Sequence, residues 1–300
     1  MRRKKGERNL SFYTTLLMQI TKQVTKTLVT RNNERSSDAV SPNFVYGCLG
    51  GCMKSYCYVS RYNPDKVYVT INVDDIFTSL EDWVKYQPFP KIPNQVDDIY
   101  YVIDIGCSTD VPLMSKHFDW NEVFEFFNKQ PKLKSTFATK YPSLFDPRKY
   151  NIDPAKNRIR VSLMPQKYSD ILEPKTDLIK SRIERIPFLQ EHMELHINFS
   201  PIIYEKGWLD EYKKLFEAIS LLKVDFKSEC IFLTYHDNQI KNNSAEINSL
   251  CYKPHIQEYK DSHYAKNNIR YKSDVKNILI KQFKDLYKNY FPEESIRYIF

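Results

Sequence analysis

No stretch of the 300 residues approaches the roughly 18 consecutive apolar residues that a membrane-spanning helix needs. The N-terminal MRRKKGERNLSFYTTLLMQI joins a basic head to an apolar stretch, but Ser11, Thr14, Thr15 and Gln19 interrupt that stretch and no small-residue cleavage site follows. Both features argue against a secretory signal, so the chain is expected to be cytoplasmic, with no membrane partner. Cysteine is scarce, six in 300, and three of the six crowd together, which suits a metal or redox role better than a disulfide framework. His117, His196 and His236 show no ligand spacing and read as structural residues. Internal repeats and low-complexity tracts are missing. What remains is a chain that is 42% hydrophobic and 27% charged, as expected of a globular enzyme or binding protein. Its length suits one large domain or two modest ones. A net charge of +8 fits a polyanion, nucleic acid first, or simply a lysine-solvated surface.

Apolar patterning gives alternating strands and helices. Strands are expected at 43–47 (NFVYG), 67–73 (VYVTINV), 99–106 (IYYVIDIG), 135–140 (STFATK), 158–164 (RIRVSLM), 194–200 (ELHINFS) and 230–236 (CIFLTYH). Helices are expected at 10–30, 120–128, 176–192, 209–222 and 273–290, with Pro187 kinking or breaking the third and Ser273 capping the last. Such alternation argues for a parallel α/β sheet, open or curled into a barrel, with functional residues at the C-terminal strand ends. Residues 241–268 are polar and aperiodic, and read as an insertion or mobile loop. The expected division is a basic helical extension over 1–40, a barrel over 41–240, and a C-terminal loop and helix over 241–300.

The stretch VYGCLGGCMKSYCYVSRYNP holds Cys48, Cys52 and Cys57, directly after the first of those strands. Structural zinc takes four protein ligands, and this loop supplies three thiols and no histidine; Cys107 or His117 would have to complete a zinc site. A [4Fe–4S] cube held by three cysteines keeps its fourth iron open. That arrangement suits radical S-adenosylmethionine (SAM) chemistry, with Gly47, Gly50 and Gly51 letting the loop fold tightly. The spacing departs from the usual pattern: three residues then four, where three then two is standard.

Further stretches resemble the spore photoproduct lyase family of radical-SAM DNA repair enzymes. Tyr56-Cys57-Tyr58 matches that family's Tyr-Cys-Tyr. Cys107-Ser108-Thr109-Asp110 is similar to its Cys-Thr-Ser-Asp with the hydroxyl residues exchanged. Phe137-Ala138-Thr139-Lys140, Arg160-Val161-Ser162, Ser200-Pro201-Ile202-Ile203-Tyr204 with Gly207-Trp208, and the C-terminal 282–300 follow in order. The resemblance, over roughly 43–300, implies a partial TIM-type (β/α)6 barrel with an N-terminal helix and a C-terminal extension. It implies that Cys48, Cys52 and Cys57 hold a [4Fe–4S] cluster, and that Tyr58, Thr109, Asp110, Lys140 and Ser162 surround SAM. It implies that Cys107 donates a hydrogen atom, that Tyr56 and Tyr58 relay the radical, and that the reaction reverses a thymine-dimer lesion in DNA. A flavodoxin or ferredoxin would supply electrons to a monomeric enzyme.

The residues also permit plainer readings. Cys107 can be a buried thiol, Lys140 a strand-end snorkel, Asp110 a turn or cap, and Trp208 reads as core. The same chemistry could act on another base, nucleotide or peptide, because one fold hosts many functions. A zinc-bound nucleic-acid-binding protein is the reading outside enzymes. For DNA contact the sequence offers Lys253, Lys260, Lys266 and Arg270 interleaved with Tyr259 and Tyr264.

Overall fold

The computed structural model describes residues 19–50, 52, 56–57, 66–261 and 266–300. The first part of the chain gives β1 (Gln19–Gln23), β2 (Arg31–Asn32), β3 (Ala39–Val40), β4 (Val45–Tyr46), β5 (Lys66–Thr70) and α1 (Val73–Lys85). The middle gives β6 (Tyr101–Asp104), α2 (Trp120–Lys129), β7 (Leu133–Thr139), β8 (Asn157–Leu163), α3 (Gln166–Leu172) and α4 (Ile179–Gln190). Then come β9 (Glu194–Ile202), α5 (Trp208–Ser220), β10 (Lys227–Phe232), β11 (Thr234–His236), α6 (Asp237–Asn242) and α7 (Ala245–Cys251). The chain closes with β12 (Gln257–Tyr259), β13 (Asn268–Tyr271), α8 (Ser273–Tyr287) and β14 (Ile296–Ile299). Among the described residues no helix is long and apolar enough to cross a membrane.

The principal sheet has the order β14-β10-β9-β8-β7-β6-β3-β2, parallel from β14 to β3. Six of its parallel strands, β3 and β6 to β10, form the expected partial barrel, and β14 adds a seventh at the edge; the strands expected at 43–47 and 67–73 lie outside it, as β4 and β5 of a separate sheet, and Ala39–Val40 stands at its start instead. Two three-stranded sheets flank it, β1-β5-β4 and β11-β13-β12.

Period-two alternation explains why the sheet curls around a polar centre. On β8, Ile159, Val161 and Leu163 are buried on one face, while Arg158, Arg160 and Ser162 are buried on the other. On β9, Leu195, Ile197 and Phe199 alternate with Glu194, His196 and Asn198. The apolar face meets the helices: Phe199 packs edge-on against Phe216 of α5 and Phe283 of α8, and Phe137 of β7 lies against Phe124 of α2. The polar face turns inward and pairs its charges. Arg158 binds Asp97 at 2.7 Å and Glu194 at 2.8 Å, and Lys134 binds the same two carboxylates at 3.1 and 2.6 Å. One layer up, Arg160 reaches Asp104 at 2.8 Å and Glu229 at 3.4 Å, and Arg297 meets Glu229 at 3.2 Å.

Several local expectations are corrected. The helix expected over 10–30 is not formed in its described part: Gln19–Gln23 is a strand, paired in parallel with β5. Backbone pairing with an otherwise open strand edge outweighs the helical spacing of the side chains. The strand expected to reach Val73 stops at Thr70, and Val73 opens α1, a helix the sequence reading passed over. Its signals were present: Asp74 and Asp75 in the first turn, and Ile76, Leu80 and Val84 buried four residues apart. Pro187 does not break α4, which runs on to Gln190. It forfeits one backbone bond, to the Ile183 carbonyl, and the helix persists because Ile183, Ile186 and Leu189 stay buried around it. Lys272, not Ser273, takes the cap position of α8. Residues 241–268, expected as a loop, contain α7, β12 and the end of α6, with 262–265 and their Tyr264 outside the described residues.

The inward charges make stability depend on pH. Burial opposes ionisation of Glu229, but Arg160, His196 and Arg297 outweigh it and hold its carboxyl well below the usual range. Burial likewise opposes Glu194, where His196, Arg158 and Lys134 prevail. Both carboxylates have folded values below the unfolded one, so their contribution is complete above about pH 4.3 and is lost as pH falls through the lower folded values. Urea unfolding between pH 7 and pH 2 should show this acid loss. In Glu229→Gln it should be shallower, because one of the two carboxylates no longer titrates; an unchanged slope would mean that Glu229 contributes nothing.

Candidate active site

The cysteine loop leaves β4 through Gly47, which has φ +98°; a Cβ there would stand 2.4 Å from the Lys66 carbonyl oxygen. Only glycine fits this turn. Its N–H donates to the Ser108 carbonyl at 3.1 Å, which ties the loop to the turn carrying Cys107. Gly50 is closely packed: a Cβ would lie 3.2 Å from Cys48 Sγ and 3.3 Å from Tyr141 Oη, and these side chains would have to give by a few tenths of an ångström.

The structure brings the three loop thiols together. Cys57 packs against Cys48, and Cys52 and Cys57 share a hydrogen bond. Burial and the nearby Asp110 push the Cys48 thiol up to about 12. The Cys57 hydrogen bond and burial raise Cys52 as well. Among the described residues no three His, Cys, Asp or Glu side chains close around a single metal ion.

Lys140, at the end of β7, lies beside these thiols. Burial pulls its ammonium down, but Cys52, Glu173 and Cys57 outweigh burial and hold it above the ordinary lysine range. Its Nζ is 3.8 Å from Glu173 Oε1 and 5.7 Å from the Tyr56 ring centre. Tyr56 Oη donates to the same Glu173 oxygen. The other carboxylate oxygen is held by Arg182 at 2.8 Å, both side chains being fully buried. Arg182 in turn donates to the Ser162 carbonyl at 2.9 Å. Glu173 and Arg182 therefore join Tyr56, Lys140 and Ser162, and the sequence reading found neither. Glu173 lies 117 residues from Tyr56 in the chain, so nothing local marked it.

The Cys107–Asp110 turn follows β6. Asp110 accepts from Thr139 Oγ1 at 2.8 Å and from the Lys140 N–H at 2.9 Å; burial still lifts its carboxyl to about 6. Burial, followed by Asp104, pushes the Cys107 thiol up to about 12, against the pull of Arg31 and Arg160. Asp104 also accepts the Gly106 N–H at 3.0 Å and fixes the start of the turn. Thr109 Oγ1 is buried with no hydrogen-bond partner, and so is Asn198 Oδ1, which stands in strand register with Ser162. Two orphaned polar atoms on the inner face fit a polar ligand held there.

Other expected residues fall elsewhere. Tyr58 lies outside the described residues. His117 is exposed, His196 is buried in the charge layer, and the His236 ring accepts the Asn238 N–H at the start of α6. Trp208 is core, among Tyr204, Tyr212, Phe232 and Phe283.

A curled parallel half-barrel with a three-cysteine loop and a lysine at its C-terminal edge has the radical-SAM architecture. Solved structures of spore photoproduct lyase superimpose with a TM-score of 0.79 at 20% identity, covering all of this chain and 88% of theirs. One is complexed with dinucleoside spore photoproduct, and another, a mutant, holds AdoMet as well. The spore photoproduct lyase of Clostridium acetobutylicum is 24% identical over 185 residues, 60% of this chain. The match spans 52%, about half, of that curated relative's length. The family model for spore photoproduct lyase matches residues 1–300. The chain belongs to the spore photoproduct lyase family.

Two outcomes follow from the geometry. In metal-free protein at pH 8, iodoacetamide should alkylate Cys48 and Cys107 about a thousandfold more slowly than free cysteine, because so little of either is thiolate. Peptide mapping by mass spectrometry reads each site; free-thiol rates at Cys107 would refute the suppression of its ionisation beside Asp104. Glu173→Ala leaves Arg182 buried and uncompensated, and should cost about 3–5 kcal/mol in urea unfolding.

Proposed function

We propose that this protein is a radical-SAM lyase that reverses the spore photoproduct, 5-thyminyl-5,6-dihydrothymine, in DNA. The observation that carries the reading is the meeting of Cys48, Cys52 and Cys57 with Lys140 at the barrel edge, in a chain of this family. Cys48, Cys52 and Cys57 would hold a [4Fe–4S] cluster, and Tyr58, Thr109, Asp110, Lys140 and Ser162 would surround SAM. When bound, the pair supplies one-electron cleavage of SAM to a 5′-deoxyadenosyl radical that takes hydrogen from C6 of the lesion.

The chain's own residues do the rest. The Lys140 ammonium would meet the SAM carboxylate, because an obligate cation beside two thiols and Glu173 has charge to offer a further anion. Asp110 stiffens that position by binding the Lys140 N–H. Thr109 Oγ1 and Asn198 Oδ1 would gain their missing partners. Cys107 is kept as a thiol by burial and Asp104, the form a hydrogen-atom donor needs. Its S–H bond breaks as the product thymine radical takes the hydrogen, and the sulfur radical left behind would return to thiol by a hydrogen atom passed through Tyr56 and Tyr58 from 5′-deoxyadenosine, which carries the one taken from C6, so that repair consumes no net electron. A flavodoxin or ferredoxin would provide the electron, to a cytoplasmic monomer. Solved relatives bound to dinucleoside spore photoproduct support the lesion assignment.

Anaerobic reconstitution should give about four irons per chain, and reduced protein should cleave SAM to 5′-deoxyadenosine and methionine. Ala at Cys48, Cys52 or Cys57 should abolish both. Cys107→Ala should keep iron and SAM cleavage but convert dinucleoside spore photoproduct into trapped, altered thymine products. Clean repair by Cys107→Ala would remove the donor role. SAM cleavage without any action on the lesion would point to another nucleobase, nucleotide or peptide, and zinc without iron would defeat the enzyme reading.

A further inference from the structure

The cations that fill the half-barrel are answered by carboxylates. Lys91 meets Asp38, Lys134 and Arg158 meet Asp97 and Glu194, Arg160 meets Asp104 and Glu229, and Lys140 meets Glu173. Arg31 of β2 is not answered. It stands opposite Val40 of β3, and Val40 stands beside Asp104 of β6. Residues directly across paired strands project to the same side of a sheet. Asp104 points inward, to Arg160, so Arg31 projects inward as well. Arg31 is exposed, and among the described residues no carboxylate lies within ion-pair distance of it. Asp104 already accepts from Arg160 and from the Gly106 N–H, and Glu34, exposed in the loop after β2, makes no ion pair with it.

The order of strands limits what this guanidinium can reach. Along the C-terminal edge of the sheet come Ser162 of β8, Lys140 after β7, the Cys107 turn after β6, and then β3 and β2. Neighbouring strands lie about 4.8 Å apart, so Arg31 stands about 14 Å along the sheet from β7. That distance separates it from the SAM carboxylate assigned to Lys140. Cys107 lies between the two. Burial and Asp104 raise its thiol, and Arg31 leads the groups that pull it back. On the repair reading, the lesion reaches from the SAM side to Cys107. Beyond Cys107, β3 offers only buried Ala39 and Val40, and β2 is the edge strand, open to the solvent through which the connecting DNA passes. Arg31 is the first unpaired cation on that path. A thymine carbonyl would leave its charge unanswered, whereas a phosphodiester matches it in both charge and the fork of donors.

We infer that Arg31 binds the phosphodiester that joins the two nucleosides of the lesion, and so sets a preference for the linked dinucleotide over the dinucleoside. The inference rests on the repair reading above and adds a substrate-binding residue to it, from the N-terminal part of the chain.

The test compares dinucleoside spore photoproduct with the dinucleotide that carries the single internal phosphodiester. Arg31→Gln should weaken binding of the dinucleotide to SAM-loaded holoenzyme, read by calorimetry, about tenfold, and should raise its KM by a similar factor with kcat little changed. Binding and KM of the dinucleoside should move at least about fivefold less. Arg31→Lys, which keeps the charge and loses the fork, should recover part of the difference. An equal loss on both lesions would make Arg31 a structural residue of the barrel mouth and overturn the inference. No loss on the dinucleotide would overturn it too, since solvent alone would then answer the charge. If wild-type enzyme binds the dinucleotide but repairs neither lesion, the repair reading falls, and the ratio of binding constants still decides Arg31. Wild-type enzyme that binds neither lesion would overturn both.

Discussion

Arg160 between Asp104 and Glu229 is the constraint on which the rest of the molecule depends. A guanidinium buried to this degree is tolerable only if its charge and its donors are all met. Asp104 takes one nitrogen, Glu229 another, and Thr136 Oγ1 accepts from Nε at 3.1 Å. These partners sit on β6, β10 and β7, so a single side chain of β8 fixes how four strands curl. Glu229 carries the fixation onward to β14, through Arg297 and through the Tyr298 hydroxyl at 2.8 Å. Tyr298 then reaches Ser36, and Arg297 reaches the Gln95 carbonyl, across the open seam of the half-barrel. A barrel with an apolar filling could slide in register at small cost. One filled with ion pairs has a single arrangement in which every charge is answered.

The same pairs hold the chemistry in place. Asp104 uses one oxygen for Arg160 and the other for the Gly106 N–H, so the turn bearing Cys107 is set by the charge layer beneath it. On the opposite side Glu173 does comparable work, with Arg182 beneath it and Tyr56 and Lys140 above. The two anchors differ in what they fix: Asp104 holds backbone, whereas Glu173 holds side chains at the top of the barrel.

What the sequence revealed follows from the range of the interactions involved. Strands β7, β8 and β9 were legible because a buried strand writes its burial into adjacent residues, and the thiols were legible because Cys48, Cys52 and Cys57 are near neighbours in the chain. Lys140 and Asp110 came from resemblance, and the backbone bond between them gives that pairing a physical cause. Glu173 and Arg182 were not legible, since each acts through partners on other strands or helices. The strand at Gln19–Gln23 was misread for the same reason: its pairing with Lys66–Thr70 is a property of two segments, whereas helical spacing is a property of one.

The unusual cysteine spacing is resolved by the same contrast between local and distant forces. Against the usual pattern, the segment between Cys52 and Cys57 is doubled from two intervening residues to four. Closing a flexible segment of twice the length costs only about 0.6 kcal/mol. Both flanks of that segment are held by contacts that do not depend on its length. On the near side, the Gly47 N–H is bonded to Ser108 and Gly50 is wedged between Cys48 and Tyr141. On the far side, Tyr56, adjacent to Cys57, is bonded to a fully buried carboxylate. A charge-assisted hydrogen bond of that kind contributes about 1.5–3 kcal/mol, more than the added closure cost. The positions of Cys48 and Cys57 are thus held by contacts with the barrel as well as by the count of residues between them.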